Sequence, residues 1–148
     1  MKSLAGNDNK LSKSLAPKVL VNGDVLFTVV GDILVNSLIS ECYTANDATA
    51  STLQYSVTTG EAQTQTISAA SPSLASAIKG TTLTLAGNSL TNAPILSVSG
   101  VGLNTTARGI RVPPGEIKAV VGVGSTTGTW VHYLSYEPLE ENAYVIAH

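Results

Sequence analysis

The sequence predicts an all-β protein, an antiparallel β-sandwich of jelly-roll type with at most one short helix near residues 72–79. Three observations predict it. Seventeen Thr, fifteen Val and eight Ile weight the chain towards β-branched side chains, whose restricted χ1 rotamers suit a pleated surface better than a helix. About ten short apolar or alternating runs, punctuated by Gly, Pro, Asn and Asp, follow one another at the close spacing of sandwiches and barrels. No strand pattern alternates with a long helical one, which excludes a parallel α/β fold. A chain of 148 residues fits one domain with core enough to fold without staples.

Residues 1–17 read as a flexible basic arm in which Leu4, Leu11 and Leu15 are scattered among Ser, Asn, Lys and Gly, too sparsely for a core. The sandwich domain is expected over 18–148. Asn22-Gly23-Asp24 is a turn signal, and residues 25–30 follow with both faces apolar, as in a strand buried between layers. After Gly31-Asp32, residues 33–44 form a longer run. Its Leu34, Leu38 and Ile39 also have helical spacing, but the flanking strands favour β. Residues 52–57 and 61–68 make a hairpin about Thr58-Thr59-Gly60, the second strand polar like an edge.

Ser71-Pro72 is a helix start and Gly80 a stop, giving one or two turns over 72–79. Strands fall next at 81–86 and 94–99, with turns at Gly87-Asn88, Gly100 and Gly102. Ile110 and Val112 lead into Pro113-Pro114-Gly115, where a fixed φ and a permissive glycine suit a reversal. Residues 117–121 run back, and Gly122, Gly124 and Gly128 flank a Ser-Thr-Thr hairpin turn. In the strand at 129–136, Trp130, His132, Leu134 and Tyr136 share one face, and Trp130 is expected in the core. Residues 142–147 close the list after the turn at Glu140-Glu141-Asn142.

Charge narrows the function. Only 12% of residues are charged, about half the usual ~25%, and between Ala48 and Ala107 Glu61 and Lys79 stand alone. Such a surface is either coated by hydroxyls or packed against other subunits. The remaining charge is uneven. Lys2, Lys10, Lys13 and Lys18 against Asp8 give the first 18 residues +3, and the rest carries −5. Four scattered cations on that acidic body argue against nucleic acid, which needs a basic face. The run from Val25 to Ile39 is cut by Asp32 and Asn36, short of the ~20 apolar residues of a membrane span. With no apolar leader at the N-terminus, synthesis is expected to be intracellular.

Reaction centres are hard to assemble. Cys42 is the single cysteine, so it forms no internal disulfide and reads as a small buried hydrophobe. His132 and His148 are the two histidines. His148 is expected to fray, and His132 to sit half-buried with a bonded ring nitrogen. A metal site needs three or four converging ligands, so none is expected. No serine has a Gly-x-Ser-x-Gly setting. Gly122-Val-Gly124 imitates a phosphate loop but lacks the Lys-Ser/Thr end. Asp24, Asp32, Glu137, Glu140 and Glu141 read as turn and rim acids rather than the walled pair that sugar hydrolysis requires. Asn104-Thr105-Thr106 matches a glycosylation triplet, read as loop polarity. No enzyme activity, cofactor or small-molecule substrate is expected.

Three stretches, GDVLFTVVGDILVNSLIS, SAASPSLASAIKGTTLTL and IRVPPGEIKAVVGVGSTTGTWVHYL, with the closing YEPLEENAYVIA, carry a further signal. Over residues 18–147 the chain resembles the small jelly-roll cement or decoration proteins of tailed bacteriophages. The resemblance implies a non-enzymatic virion protein, made in the bacterial host cytoplasm and bound to the outer capsid surface. It implies the major capsid protein as partner and a homo-oligomer, dimer or trimer. The basic arm suits an acidic neighbour, so Lys2, Lys10, Lys13 and Lys18 are the expected capsid contacts. Two other readings stand beside it. One is a tail or baseplate protein, including a receptor-binding tip, using Tyr43, Tyr55, Trp130 and Tyr133; the other is a small hydrolase using the acids above.

Overall fold

The computed structural model describes residues 9–86, 89–101 and 109–148. Among these the chain forms strands and no helix. In order they are β1 (Lys10–Lys13), β2 (Val25–Val30), β3 (Ile33–Thr44), β4 (Thr52–Thr59), β5 (Thr64–Thr66) and β6 (Thr82–Thr84). Then come β7 (Ile95–Ser97), β8 (Ile110–Val112), β9 (Gly115–Gly122), β10 (Thr129–Pro138) and β11 (Tyr144–Ala147). They pair antiparallel in two sheets. One sheet runs β1-β10-β3-β6-β7, with β8 also on β3; the other runs β11-β2-β9-β4-β5. The sheets pack as a β-sandwich, with the core between them.

The core follows from alternation. Trp130, Leu134, Val35, Leu38, Cys42 and Leu83 from the first sheet are buried against Phe27, Val29, Leu53, Tyr55, Ile117 and Ala119 from the second. In β10 the inward set is Trp130, His132, Leu134 and Tyr136, all buried. In β3 the buried set changes phase, from Ile33 and Val35 to Leu38, Ser40 and Cys42. A register shift opposite Ser135/Tyr136 absorbs the extra residue. The bulge thus separates Leu38, which faces the core, from Leu34 and Ile39, which are half-buried on the outer face, so their helical spacing in the sequence marks no common face.

The Gly31-Asp32 turn carries the chain from one sheet to the other. Gly31 has φ +82°, and a Cβ there would meet Ala143 and Glu140 at 2.8 Å. Only glycine fits such a crossing without strain.

Several local expectations change. Residues 72–79 form turns, because their amides bond across the structure instead of along a helix. Leu74 N–H donates to the Ser51 carbonyl and Ser76 N–H to the Asp47 carbonyl. The Ser71 hydroxyl accepts from Leu53 N–H where a helix would have used it as a cap. Pro113-Pro114-Gly115 and the segment 123–128 are crossings between sheets, since β8 and β10 lie in one sheet and β9 in the other; the expected hairpin turn is not one. The strand expected over 61–68 shortens to β5, which pairs β4 as foreseen. His148, expected to fray, donates its N–H to the Leu26 carbonyl at 3.2 Å, and its Nε2 lies 2.7 Å from Thr28 Oγ1.

The arm changes most. Lys10–Lys13 is an edge strand on β10, in register Lys10 with Tyr136 and Lys13 with Tyr133. Asn9 Oδ1 accepts from Asn36 and Ser135 at 3.0 and 2.9 Å. The physical reason is that β3 occupies one side of β10 along its whole length. The amides and carbonyls of the other side need partners, and the N-terminal segment supplies them. Residues 1–8, the Gly87-Asn88 and Gly102 turns, and the Asn104 triplet lie outside the described residues.

Candidate functional site

Sequence reasoning proposed a row of lysines, and the structure arranges three of them on one edge. Lys10 and Lys13 stand opposite Tyr136 and Tyr133 of β10, and Lys18 bridges Trp130 further along the same strand edge through bonds of 2.7 and 3.1 Å. All three are exposed. Lys13 Nζ lies 5.5 Å from the Tyr133 ring centroid, an attraction that holds the ammonium over the outer sheet face. Between them, Leu11 and Leu15 are 82% and 80% exposed, far more than a packed edge requires. Lys2 lies outside the described residues.

The segment that carries these lysines is clamped down. His132 N–H donates to the Ser14 hydroxyl at 3.0 Å, and Ser14 N–H donates to the His132 carbonyl at 2.9 Å. Leu15 N–H reaches the His148 carbonyl at 3.1 Å. Under this strap is a cavity of about 20 Å³ lined by Ser14, Lys18, Asp24, His132 and His148 among apolar neighbours, room for about one water molecule.

Behind the cavity runs a buried polar chain that the sequence pattern did not announce. His132 Nδ1 lies 2.7 Å from Ser40 Oγ, and Ser40 Oγ lies 2.6 Å from Tyr55 Oη. It joins β10 and β3 to β4 in the opposite sheet. Burial, helped by the Lys18 charge, lowers the His132 pKa from 6.5 to about 4, so the ring is neutral at pH 7. Burial pushes the Tyr55 phenol well above its ordinary value. A Ser–His contact at this distance has the form of a nucleophile and base. Ser40 has no exposed surface, however, and shares its hydroxyl with Tyr55, so no substrate reaches it. The geometry ties the sheets together.

The remaining candidates are placed as follows. Cys42 is buried opposite Trp130, not His132, and burial raises its thiol pKa. Trp130 is fully buried, with Nε1 donating to Asn46 Oδ1 at 3.1 Å. Gly128 packs so closely on Asn46 that any Cβ would overlap it. The loop that imitates a phosphate cradle already has an anion in it. Thr126 gives its N–H and hydroxyl to the Asp47 carboxylate at 3.1 and 2.8 Å. Hydrogen bonds from Thr49 and Thr126 hold that carboxyl well below the usual range.

Asp32 pairs with Arg111 at 2.9 Å, and Glu140 accepts from Asp32 N–H at 2.8 Å, a rim arrangement in which the acids are held by a cation and a backbone amide. Among the described residues no three His, Cys, Asp or Glu side chains converge as metal ligands. A second cavity, about 210 Å³, is lined by Leu74, Ala77, Ile78, Thr81, Leu96 and Val98 with small neighbours. Its lining has no acid, base or thiol, although the Thr81 hydroxyl is buried without a partner.

Of the four aromatics that a receptor tip would use, Tyr55 and Trp130 are interior. Tyr43 is exposed with Lys79 Nζ 5.3 Å from its ring centroid, and Tyr133 is half-buried.

Comparison with known proteins adds little to this geometry. No protein-family model matches the chain, and no curated sequence does. A solved structure described as "Structure of infectious bursal disease virus Gx strain" is similar at 10% identity and a TM-score of 0.28. The match covers 95% of this chain but 36% of that one, so the chain spans about a third of the length of the protein it matches.

Proposed function

We propose that this chain is a structural protein of a bacteriophage virion, a jelly-roll decoration or cement protein that binds across major capsid protein subunits on the outside of an icosahedral shell. It acts by binding alone and works as a homo-oligomer. The observation that carries this reading is the β1 edge: three exposed lysines in register along β10, with Leu11 and Leu15 laid open between them, on a sandwich with few other charges. Such an edge offers main-chain hydrogen bonds, apolar area and positive charge together, and the low charge elsewhere lets further surface be buried without stranding ions.

The mechanism is linkage. A protein that binds the assembled shell and not its separated subunits shifts the equilibrium towards the shell, and repetition over many equivalent sites multiplies the effect. The test is sedimentation with a tailed-phage major capsid protein from the same virion, supplied once as assembled shells and once as dissociated subunits. Co-sedimentation with shells alone, and a higher shell disassembly temperature, is the expected result. Equal indifference to both forms overturns it.

The exposed Tyr43 beside Lys79 favours a second reading, a tail or baseplate protein with a receptor-binding face. Glycan-array binding that is lost in Tyr43→Ala would establish that one instead.

A further inference from the structure

We propose that the free edge of β1 is a β-augmentation site for an extended acidic segment of a partner protein, with two carboxylates three residues apart and an apolar residue between them. This rests on the shell-binding reading for the partner's identity, but not for its chemistry. Among the described residues β1 pairs only with β10; β11 lies near it and the Leu15 N–H just past the strand is taken by the His148 carbonyl, so the stretch left for a further strand is residues 10–13. Lys10 and Lys13 bracket that edge, and neighbouring side chains alternate between faces, so the two ammonium groups flank an incoming strand on opposite faces. Leu11, which shares the outer face with Ser135, its register partner, is uncovered and adjoins the same line.

Charge decides what fits. Two copies of β1 pairing about a two-fold axis would gather four lysines along one short seam, well within a screening length of one another, and like charges that close are destabilising. The lysines therefore block self-pairing, as they do on many natural edges, and the same positions favour carboxylates. In antiparallel register the residues opposite Lys13, Ser12, Leu11 and Lys10 read acid, any, apolar, acid. Of the other edges, β5 is Thr-Gln-Thr, β7 is Ile-Leu-Ser and β11 is Tyr-Val-Ile-Ala, without charge, and the one cation of β8, Arg111, is already paired with Asp32.

The test uses the full chain, nitrogen-15 labelled, titrated with two short peptides. One has glutamate-serine-valine-glutamate at its centre; the other has lysine in place of each glutamate. The acidic peptide is expected to shift the amide resonances of residues 10–13, bind about tenfold tighter than its lysine twin, and weaken with salt. The double variant Lys10→Glu with Lys13→Glu should invert the preference. Equal binding of the two peptides, or shifts confined to other strands, overturns the proposal. Shell sedimentation that survives that outcome leaves the decoration role standing with another surface, whereas peptide binding without shell sedimentation keeps the edge and removes the shell.

Discussion

Strand β10 has two polar margins, and they are built oppositely. On its core side, His132 is closed in with Ser40 and Tyr55, each hydrogen-bonded to the next and none open to solvent. On its outer edge, Lys10, Lys13 and Lys18 keep their charges in water while their backbones continue the ladder. Polar groups in the interior are costly unless neutral and paired, because an unpartnered one keeps the whole desolvation cost. At the edge the charges cost little and stay available to a partner. Chemistry-bearing residues at the centre of this protein therefore serve cohesion, and in the function proposed above it is plain lysines at its margin that would carry recognition.

The largest contrast is between Trp130 and Leu11. Trp130 is fully buried and its Nε1 donates to Asn46, so Trp130→Ala is expected to cost about 3–5 kcal/mol in urea unfolding. Leu11→Ala, at 82% exposure, should move the same midpoint by less than about 0.5 kcal/mol. Equal costs would erase the distinction between core side and edge.

Acid should attack the interior margin first. His132 titrates near 4 in the fold against an ordinary 6.5. Below pH 6.5 the unfolded chain takes up a proton that the native ring refuses until about pH 4. The stability owed to a neutral His132 is thus complete above that window and drains away through it as pH falls, by up to about 3 kcal/mol. Asp47, with its carboxyl held low by Thr49 and Thr126, loses its share only further down, below the ordinary 3.8. Urea midpoints between pH 7 and 4 should therefore slope in the native protein and flatten in His132→Gln. A slope that survives that substitution would move the acid sensitivity elsewhere.

Ser40→Ala probes the same chain with a smaller effect. It leaves His132 Nδ1 and Tyr55 Oη buried without partners, at an expected cost of about 1–3 kcal/mol. The double variant Ser40→Ala with Tyr55→Phe should recover part of that, because one orphan is removed. No recovery would mean that the hydroxyls do not act as a unit.

The same contrast explains what the sequence could disclose. Alternation in residues 129–136 is set by burial of one face, so that strand and its inward row from Trp130 to Tyr136 were legible; residues 25–30 were legible as a strand, but both faces being apolar overstated their depth, since Val25, Thr28 and Val30 are half-buried. β1 was not: Lys-Leu-Ser-Lys has no apolar face, because an edge strand is fixed by backbone bonds to β10 and not by side-chain burial. The 72–79 helix failed for a related reason, since Ser71 and the amides after it serve distant strands that a local pattern does not contain. The His132–Ser40–Tyr55 chain needs a register spanning three strands and two sheets. Its one hint was a histidine sharing a face with Trp130. Of the candidate contacts, the lysines were chosen for their charge; their alignment on a single edge comes from the β1–β10 register.

The smallest stability effect should accompany the largest change in recognition. Lys10→Ser with Lys13→Ser removes two exposed charges and one ring contact, and isolated surface charges contribute little to folding. The unfolding midpoint should stay within about 0.5 kcal/mol of the native protein. The backbone pairing of β1 with β10 uses no lysine side chain, so amide protection over residues 10–13 should persist as well. Affinity for assembled shells should nonetheless fall and lose much of its salt dependence, since the charges that attract an acidic neighbour are gone. A variant that keeps both its stability and its salt-dependent binding would show that the edge lysines only guard against self-pairing.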